Sequence, residues 1–208
     1  MLDRYQKVVF WVGAGLSQAS GVCPPPAHNR LSFLHQPEKV WADYQAWKGH
    51  LRSCRPNAGH ECLAQMQRSH PQVRIVTLNQ DGLLQRAGCQ VLELHGSVWE
   101  SCCFQCRLRD CSCAARQRPD VVWSGEELPQ ENVQRALAWL GECDCLVTVG
   151  ASGTVPPAGP MPLEARQAYR IEINPAETPL SAHHHECWRG PAEELLGKLF
   201  PSGNPADR

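Results

Sequence analysis

Five cysteines, Cys102, Cys103, Cys106, Cys111 and Cys113, fall within twelve residues in a chain of 208. Clustered reduced thiols bind metal, and a structural zinc site needs four thiolates in tetrahedral geometry, usually as two short-spaced pairs. Cys103-x-x-Cys106 has the spacing of a first pair. The second, Cys111-Ser112-Cys113, is irregular by one residue, so Cys102 stands as an alternative for one ligand, and five metal-free thiols as the alternative to the site itself. Four protein ligands leave no open coordination position, so the role of such a zinc is structural. A second signal is GAGLSQASG, Gly13 to Gly21, directly after the apolar run KVVFWV. A glycine-rich strand-to-helix turn lets backbone approach a pyrophosphate and aims free N–H groups at its charge, although alone such letters also describe an ordinary tight turn. The third is His95, after the apolar VLEL. A neutral imidazole near its intrinsic pKa suits a general base; a lone histidine after a strand is more often a core or surface residue.

These groups need elements to position them. Strand-like runs rich in β-branched residues begin at Lys7, Val73, Val91, Cys145 and Tyr169, each bounded by Gly, Asn or Pro. Nearly continuous apolar strands imply a parallel sheet covered on both faces. Between them, helical periodicity covers Glu38 to Leu51, Asn57 to Ser69, Asp81 to Ala87, Glu131 to Gly141 and Pro191 to Leu199. The alternation predicts an α/β, Rossmann-like, doubly wound parallel sheet. VCPPPAHNR and the cysteine-rich piece up to Pro119 break the pattern and read as excursions, the latter a small zinc-binding insertion lobe.

Composition narrows the classes. With 20 basic and 21 acidic residues the net charge is −1, so no overall field draws the chain to nucleic acid or an anionic membrane, and neither is expected as a partner. No apolar stretch has the length of a membrane span, and the start does not read as a secretory leader, so a cytoplasmic protein is expected. The dispersed Cys62, Cys89, Cys143 and Cys145 read as small core hydrophobes. Oligomeric state is not legible.

The glycine turn is followed in order by TLNQDGLLQRAG from Thr77, LELHG from Leu92, the Cys103/Cys106 pair, RPDVVWSGEELP from Arg118, GASGTVPPAG from Gly150 and IEINPAETPLS from Ile171. This set resembles the sirtuin family along almost the whole chain, most closely its short bacterial-type class III members. The resemblance implies an NAD-dependent protein-lysine deacylase that transfers the acyl group to ADP-ribose and releases nicotinamide. It implies NAD and one structural zinc as cofactors, and acyl-lysine proteins or peptides as partners. His95 is then the general base that takes a proton from a ribose hydroxyl, with Asn79 as the second catalytic residue. Cofactor contacts fall to Gly13, Ala14, Gly15, Ser17, Asn79, Asp81, His95, Gly150, Ser152, Asn174 and Ala192. Zinc ligands are Cys103, Cys106, Cys111 and Cys113, and the substrate peptide lies between Val122 to Glu126 and the loop from Gly153 to Pro157, with contacts from Tyr44, Val122, Trp123, Gly125, Glu126 and Val155. The resemblance makes residues 1–208 one catalytic domain: a Rossmann part at roughly 1–22, 73–98 and 120–200, a helical small lobe at roughly 23–72, and a zinc module at roughly 99–119.

Departures from the family pattern set the alternatives. Leu78 stands where the family has the Gln of Thr-Gln-Asn, removing a polar contact worth about 1–3 kcal/mol in a buried site. The usual Phe of the cofactor loop is absent, with Arg30 as a candidate for the family arginine, and Ser124 replaces another Phe. In the Tyr-x-x-Arg pair that binds acidic acyl groups, Tyr44 is kept but Trp47 holds the arginine position, which favours a neutral acyl group. A weakened module that binds NAD or ADP-ribose without turnover remains open, as does an NAD hydrolase or ADP-ribosyltransferase using the same pocket. His60 is read as fixing a helix, and His183 to His185 as a solvated loop.

Overall fold

The computed structural model describes residues 2–113 and 115–199; Met1, Ala114 and residues 200–208 of the expected 1–208 span lie outside the described residues. The strands are β1 (Val8–Val12), β2 (Val73–Thr77), β3 (Leu92–Glu93), β4 (Gly96–Cys103), β5 (Gln117–Val121), β6 (Cys145–Val149), β7 (Tyr169–Ile173) and β8 (Glu186–Trp188). The α-helices are α1 (Arg30–His35), α2 (Pro37–Ser53), α3 (Ala58–Ser69), α4 (Leu83–Arg86), α5 (Gln130–Glu142) and α6 (Ala192–Leu195). Six strands form one parallel sheet in the order β3-β2-β1-β6-β7-β8, while β4 and β5 make a separate antiparallel pair. Numbered along the large sheet alone, that order is the 3-2-1-4-5-6 of a doubly wound dinucleotide fold.

Both faces of the sheet are covered because the strands are apolar on both sides. In β1, Val8, Phe10 and Val12 join a core with Leu63 of α3 and Leu196, while Val9 and Trp11 join another with Ala136 and Leu140 of α5. A third core lies apart from the large sheet, where Val40, Tyr44, Trp47 and Leu51 of α2 meet Val98, Val121 and Trp123.

The five expected strands and the longer helices are present; the weaker expectations shrink. The Val91–Leu94 strand holds two residues, the Asp81–Ala87 helix only Leu83–Arg86, and the terminal helix is α6 followed by a 3-10 turn, Leu196–Lys198. The hairpin β4/β5 and edge strand β8 carried no signal, because GSVWESCC, QRPDV and ECW are short or polar rather than continuous apolar runs. Among the described residues, no helix is long and apolar enough to cross a membrane.

Candidate active site

The strand order reverses between β1 and β6, and in open α/β sheets the crevice beyond the strand ends at that point is where ligands bind. Here the two turns interlock. Gly13 N–H donates to the Val149 carbonyl and Gly15 N–H to the Gly150 carbonyl, each at 2.9 Å. A Cβ on Gly15 would stand 2.6 Å from Gly150 Cα, and one on Gly13 2.6 Å from Ala151 Cα. These glycines are therefore required first by the neighbouring loop. The segment after them, Ala14–Ser20, is a seven-residue 3-10 helix rather than the expected α-helix start, so backbone approach matters here more than a helix dipole. The cleft holds about 770 Å³, within the range of ligand sites. Gly13, Ala14, Gly15, Ser17, Asn79, Asp81, His95, Gly150, Ser152, Asn174 and Val155 all line it, so every expected cofactor residue except Ala192 does.

One corner is a buried polar cluster. The Ser17 hydroxyl donates to Asp81 Oδ2 at 2.7 Å, and Asn79 Nδ2 donates to Ser17 Oγ (3.3 Å) and to the Gly13 carbonyl (3.2 Å). Burial pushes the Asp81 carboxyl up, while bonds from Leu83 N–H and Ser17 act the other way. His95 lies beside them, its Nδ1 3.1 Å from the Leu78 carbonyl. A carbonyl only accepts, so Nδ1 carries the proton and Nε2 keeps its lone pair. Burial lowers the His95 pKa, outweighing the opposite pull of the Leu78 bond, so the ring is neutral at pH 7. The arrangement offers a neutral base beside a hydrogen-bonding corner in a nucleotide-sized cleft.

A second cavity, of about 810 Å³, is lined in part by Arg52, Gly82, Gln85, Glu93, Trp99 and Arg109. Three of its polar groups already pair with one another, Gln85 and Arg109 both with Glu93. It gathers none of the glycine turns and is not the better candidate.

Residues 20–157 match the Sir2 family. The chain is also 35% identical over 224 residues to an NAD-dependent protein deacylase of Aquifex aeolicus, an alignment covering 93% of each protein. The chain belongs to the Sir2 family. The fold agrees: a solved Sir2 homologue in complex with NAD superposes with a TM-score of 0.85 at 30% identity, covering 97% of this chain and 91% of that one. A Sir2 bound to a propionylated peptide superposes at 0.83 and 26% identity, covering 97% and 95%.

Against that family frame, several expected substrate residues are committed elsewhere. Tyr44 is 1% exposed, and its hydroxyl accepts from Trp123 Nε1 (3.0 Å) and donates to the Pro26 carbonyl (3.4 Å). Packed under the cleft, it does not line it; Trp47 does, with Nε1 donating to the Cys23 carbonyl at 3.1 Å. Glu126 accepts from Arg118 Nη2 (2.9 Å), Arg107 Nη1 (3.1 Å) and the Trp123 N–H (3.0 Å). Burial alone would raise its carboxyl, but these bonds hold it below the usual range. Arg118 lies 3.4 Å over the Trp123 ring, which is itself buried. Glu126 and Trp123 thus brace the segment, while Val122 N–H ties it to the His95 carbonyl (2.9 Å) and Gly125 turns it at φ 83°. Ala192, at the start of α6, packs in the core against α3 instead of reaching the cleft.

Sequence reasoning missed the clamp behind Asn174. Glu172, 1% exposed, accepts from Thr178 Oγ1, Ser181 Oγ and Arg189 Nη1 (2.6 Å), fixing the loop whose residues Asn174 to Pro179 wall the cleft. The signal was a lone carboxylate inside the apolar strand YRIEI. Of the histidines after it, His183 and His185 are exposed, as expected of a solvated segment, while His184 is partly buried. His184 bonds Thr148 Oγ1 (3.0 Å) and the Leu180 carbonyl (2.8 Å), and His185 accepts the Arg170 N–H (2.9 Å) and stacks on Tyr169.

Away from the cleft, the sulfurs of Cys103, Cys106, Cys111 and Cys113 all lie within 4.8 Å of one another. Those of Cys103 and Cys111 are 3.0 and 2.9 Å from Cys113, and that of Cys106 is 3.7 Å from it. A tetrahedral zinc with bonds of about 2.3 Å sets its sulfurs about 3.8 Å apart, so a small opening of the cluster accommodates one structural ion. The irregular second pair is therefore no obstacle. Cys102 is excluded: successive strand residues point to opposite faces, and its thiol is buried away from the cluster, pushed up to about 11 mainly by that burial.

Proposed function

We propose that this chain is an NAD-dependent protein-lysine deacylase acting on neutral acyl groups, with its Rossmann part, helical lobe and zinc module working as one catalytic unit in the cytoplasm. The observation that carries the reading is the neutral His95, with Nδ1 tied to Leu78, in one cleft with Asn79, Asp81 and the two interlocked glycine turns. NAD, when bound, supplies the ribose carbon that nicotinamide leaves and the ADP-ribose that accepts the acyl group. The cleft fits it: Gly13, Ala14, Gly15 and Ser17 would hold the diphosphate, and Ser152 and Asn174 the adenosine half. Asn79 and Asp81 orient the nicotinamide end, and His95 Nε2 takes the proton of a ribose hydroxyl. Acyl-lysine peptides would lie along the Val122–Glu126 segment and the loop carrying Val155, a reading supported by the matched Sir2 that binds a propionylated peptide.

The preference for a neutral acyl group rests on Tyr44 and Trp47. Both donors of that pair are already given to protein carbonyls, so nothing there is left to bind a carboxylate. The thiolate cluster fits a reducing compartment such as the cytoplasm. The test is nicotinamide release from NAD with and without acetyl-lysine peptide. Peptide-dependent release supports deacylation, peptide-independent release an NAD hydrolase or ADP-ribosyltransferase, and no release a binding module, the reading that Leu78 favours.

A further inference from the structure

VCPPPAHNR, Val22 to Arg30, breaks the alternation of strand and helix, and none of the steps above uses it. Val22, Cys23, Pro24 and Pro25 nevertheless line the cleft. Pro24, Pro25 and Pro26 have no N–H to donate, and among the described residues 23–28 take part in no backbone–backbone hydrogen bond. Helix α2 holds this strap instead. On one side of the helix, His50 Nε2 lies 2.9 Å from the Gly21 carbonyl, and Trp47 Nε1 donates to the Cys23 carbonyl (3.1 Å). The Tyr44 hydroxyl donates to the Pro26 carbonyl (3.4 Å), and Asp43 Oδ2 accepts from His28 Nε2 (2.9 Å). Falling numbers along α2 meet rising numbers in the strap, so the two run antiparallel.

His50 Nε2 is also 3.4 Å from the Cys23 nitrogen and 3.6 Å from Cys54 Sγ, so the place of its proton matters. A lone pair there would face the Gly21 carbonyl oxygen at 2.9 Å and be repelled, so Nε2 is protonated and donates to that carbonyl. The Cys23 N–H is then a neighbour and not a partner, and the Cys54 thiol turns its own proton to the His50 carbonyl (3.6 Å). Gly21, at φ 73°, is the joint between the Ala14–Ser20 segment and the strap. Proline holds φ at about −65°, and three in a row make a stiff rod, so pinning Gly21 and Cys23 at one end and Pro26 and His28 at the other places Pro24 and Pro25. A wall that has to be ordered when a ligand arrives subtracts that cost from affinity, whereas a wall already ordered does not. We propose that α2 presets the strap as one wall of the NAD cleft, with His50 as the positioning residue that fixes its joint at Gly21. The inference rests on the reading of the cleft as the NAD site.

Two variants separate positioning from general support of the fold. His50→Leu keeps bulk but removes the donor, whereas His50→Gln carries an amide N–H that still reaches the Gly21 carbonyl. Calorimetric NAD affinity should fall about 3- to 10-fold in His50→Leu, the worth of one neutral hydrogen bond, and stay within about twofold of the wild type in His50→Gln. The KM for NAD should follow the same order, while kcat at saturating NAD and the KM for acetyl-lysine peptide stay unchanged, because neither His95 nor the Val122–Glu126 segment is touched. In the wild type itself, crystal structures with and without NAD should agree over residues 21–28 to within about 1 Å. A strap that is disordered, or displaced by more than about 2 Å, without NAD overturns the proposal without any variant. NAD affinity unchanged in His50→Leu, not restored in His50→Gln, or falling together with peptide affinity overturns it as well. A wild type that binds no NAD removes the reading of the cleft and this proposal together, whereas a wild type that binds NAD as tightly as both variants removes the proposal alone.

Discussion

Replacing Glu126 by alanine tests whether that carboxylate touches substrate or braces the wall beside His95. The side chain of Arg118 is 0% exposed and that of Glu126 5%, and Glu126 also receives the Trp123 N–H. Removing the acid leaves the Arg118 charge buried without its partner, at a cost of about 3–5 kcal/mol. The orphaned Trp123 N–H adds up to about 1–3 kcal/mol, though the two share one network and do not sum fully. Arg107 relaxes more cheaply, since it is 25% exposed and lies 4.0 Å from Asp120. A net loss of about 4 kcal/mol lowers the melting temperature by about 8–16 °C for a domain of this size. Urea unfolding followed by circular dichroism measures it. The pH dependence has a definite sign: the folded carboxyl lies below its unfolded value. Its contribution is therefore complete above the unfolded pKa of about 4.3 and is lost as pH falls through the folded pKa, so wild type and variant converge in acid. A loss under about 1 kcal/mol, joined to a raised peptide KM, would return Glu126 to the substrate site and refute the brace.

Three further outcomes follow from the same geometry. Because burial depresses the His95 pKa, kcat/KM should rise with pH along a limb centred below the ordinary histidine value of about 6.5 and be lost in more acid solution; a limb centred at 7 or above contradicts the assignment. His95→Ala should lower turnover by about 10²–10⁴-fold while calorimetry finds ADP-ribose affinity unchanged, whereas an active variant puts the base elsewhere. Trp47→Arg should raise the succinyl-to-acetyl turnover ratio by about tenfold through one charge-assisted bond, and a wild type that already prefers succinyl-lysine defeats the neutral-acyl reading.

Much of this protein was legible in local pattern. The runs VVFWV and CLVTV are apolar at almost every position, a property of strands buried on both faces, and so they announced a parallel sheet. The glycine turn, LELHG and the four-cysteine spacing likewise named the cleft and metal-site residues, because motif chemistry depends on neighbours in sequence. What only the tertiary structure decided was direction and partnership. Gly13 and Gly15 are glycines because a loop 135 residues further on presses against them, a contact no local window contains. In β4 the register with β5 shifts between Ser97 and Ser101, so alternation along the sequence cannot tell which of Cys102 and Cys103 meets the other thiols. Tyr44 and Glu126 have side chains suited to substrate, yet both are spent on Trp123, and His60 caps a helix with one nitrogen while facing Ser17 with the other. A sequence gives each side chain its hydrogen-bonding capacity; packing decides whether that capacity is left for a ligand or already satisfied within the fold.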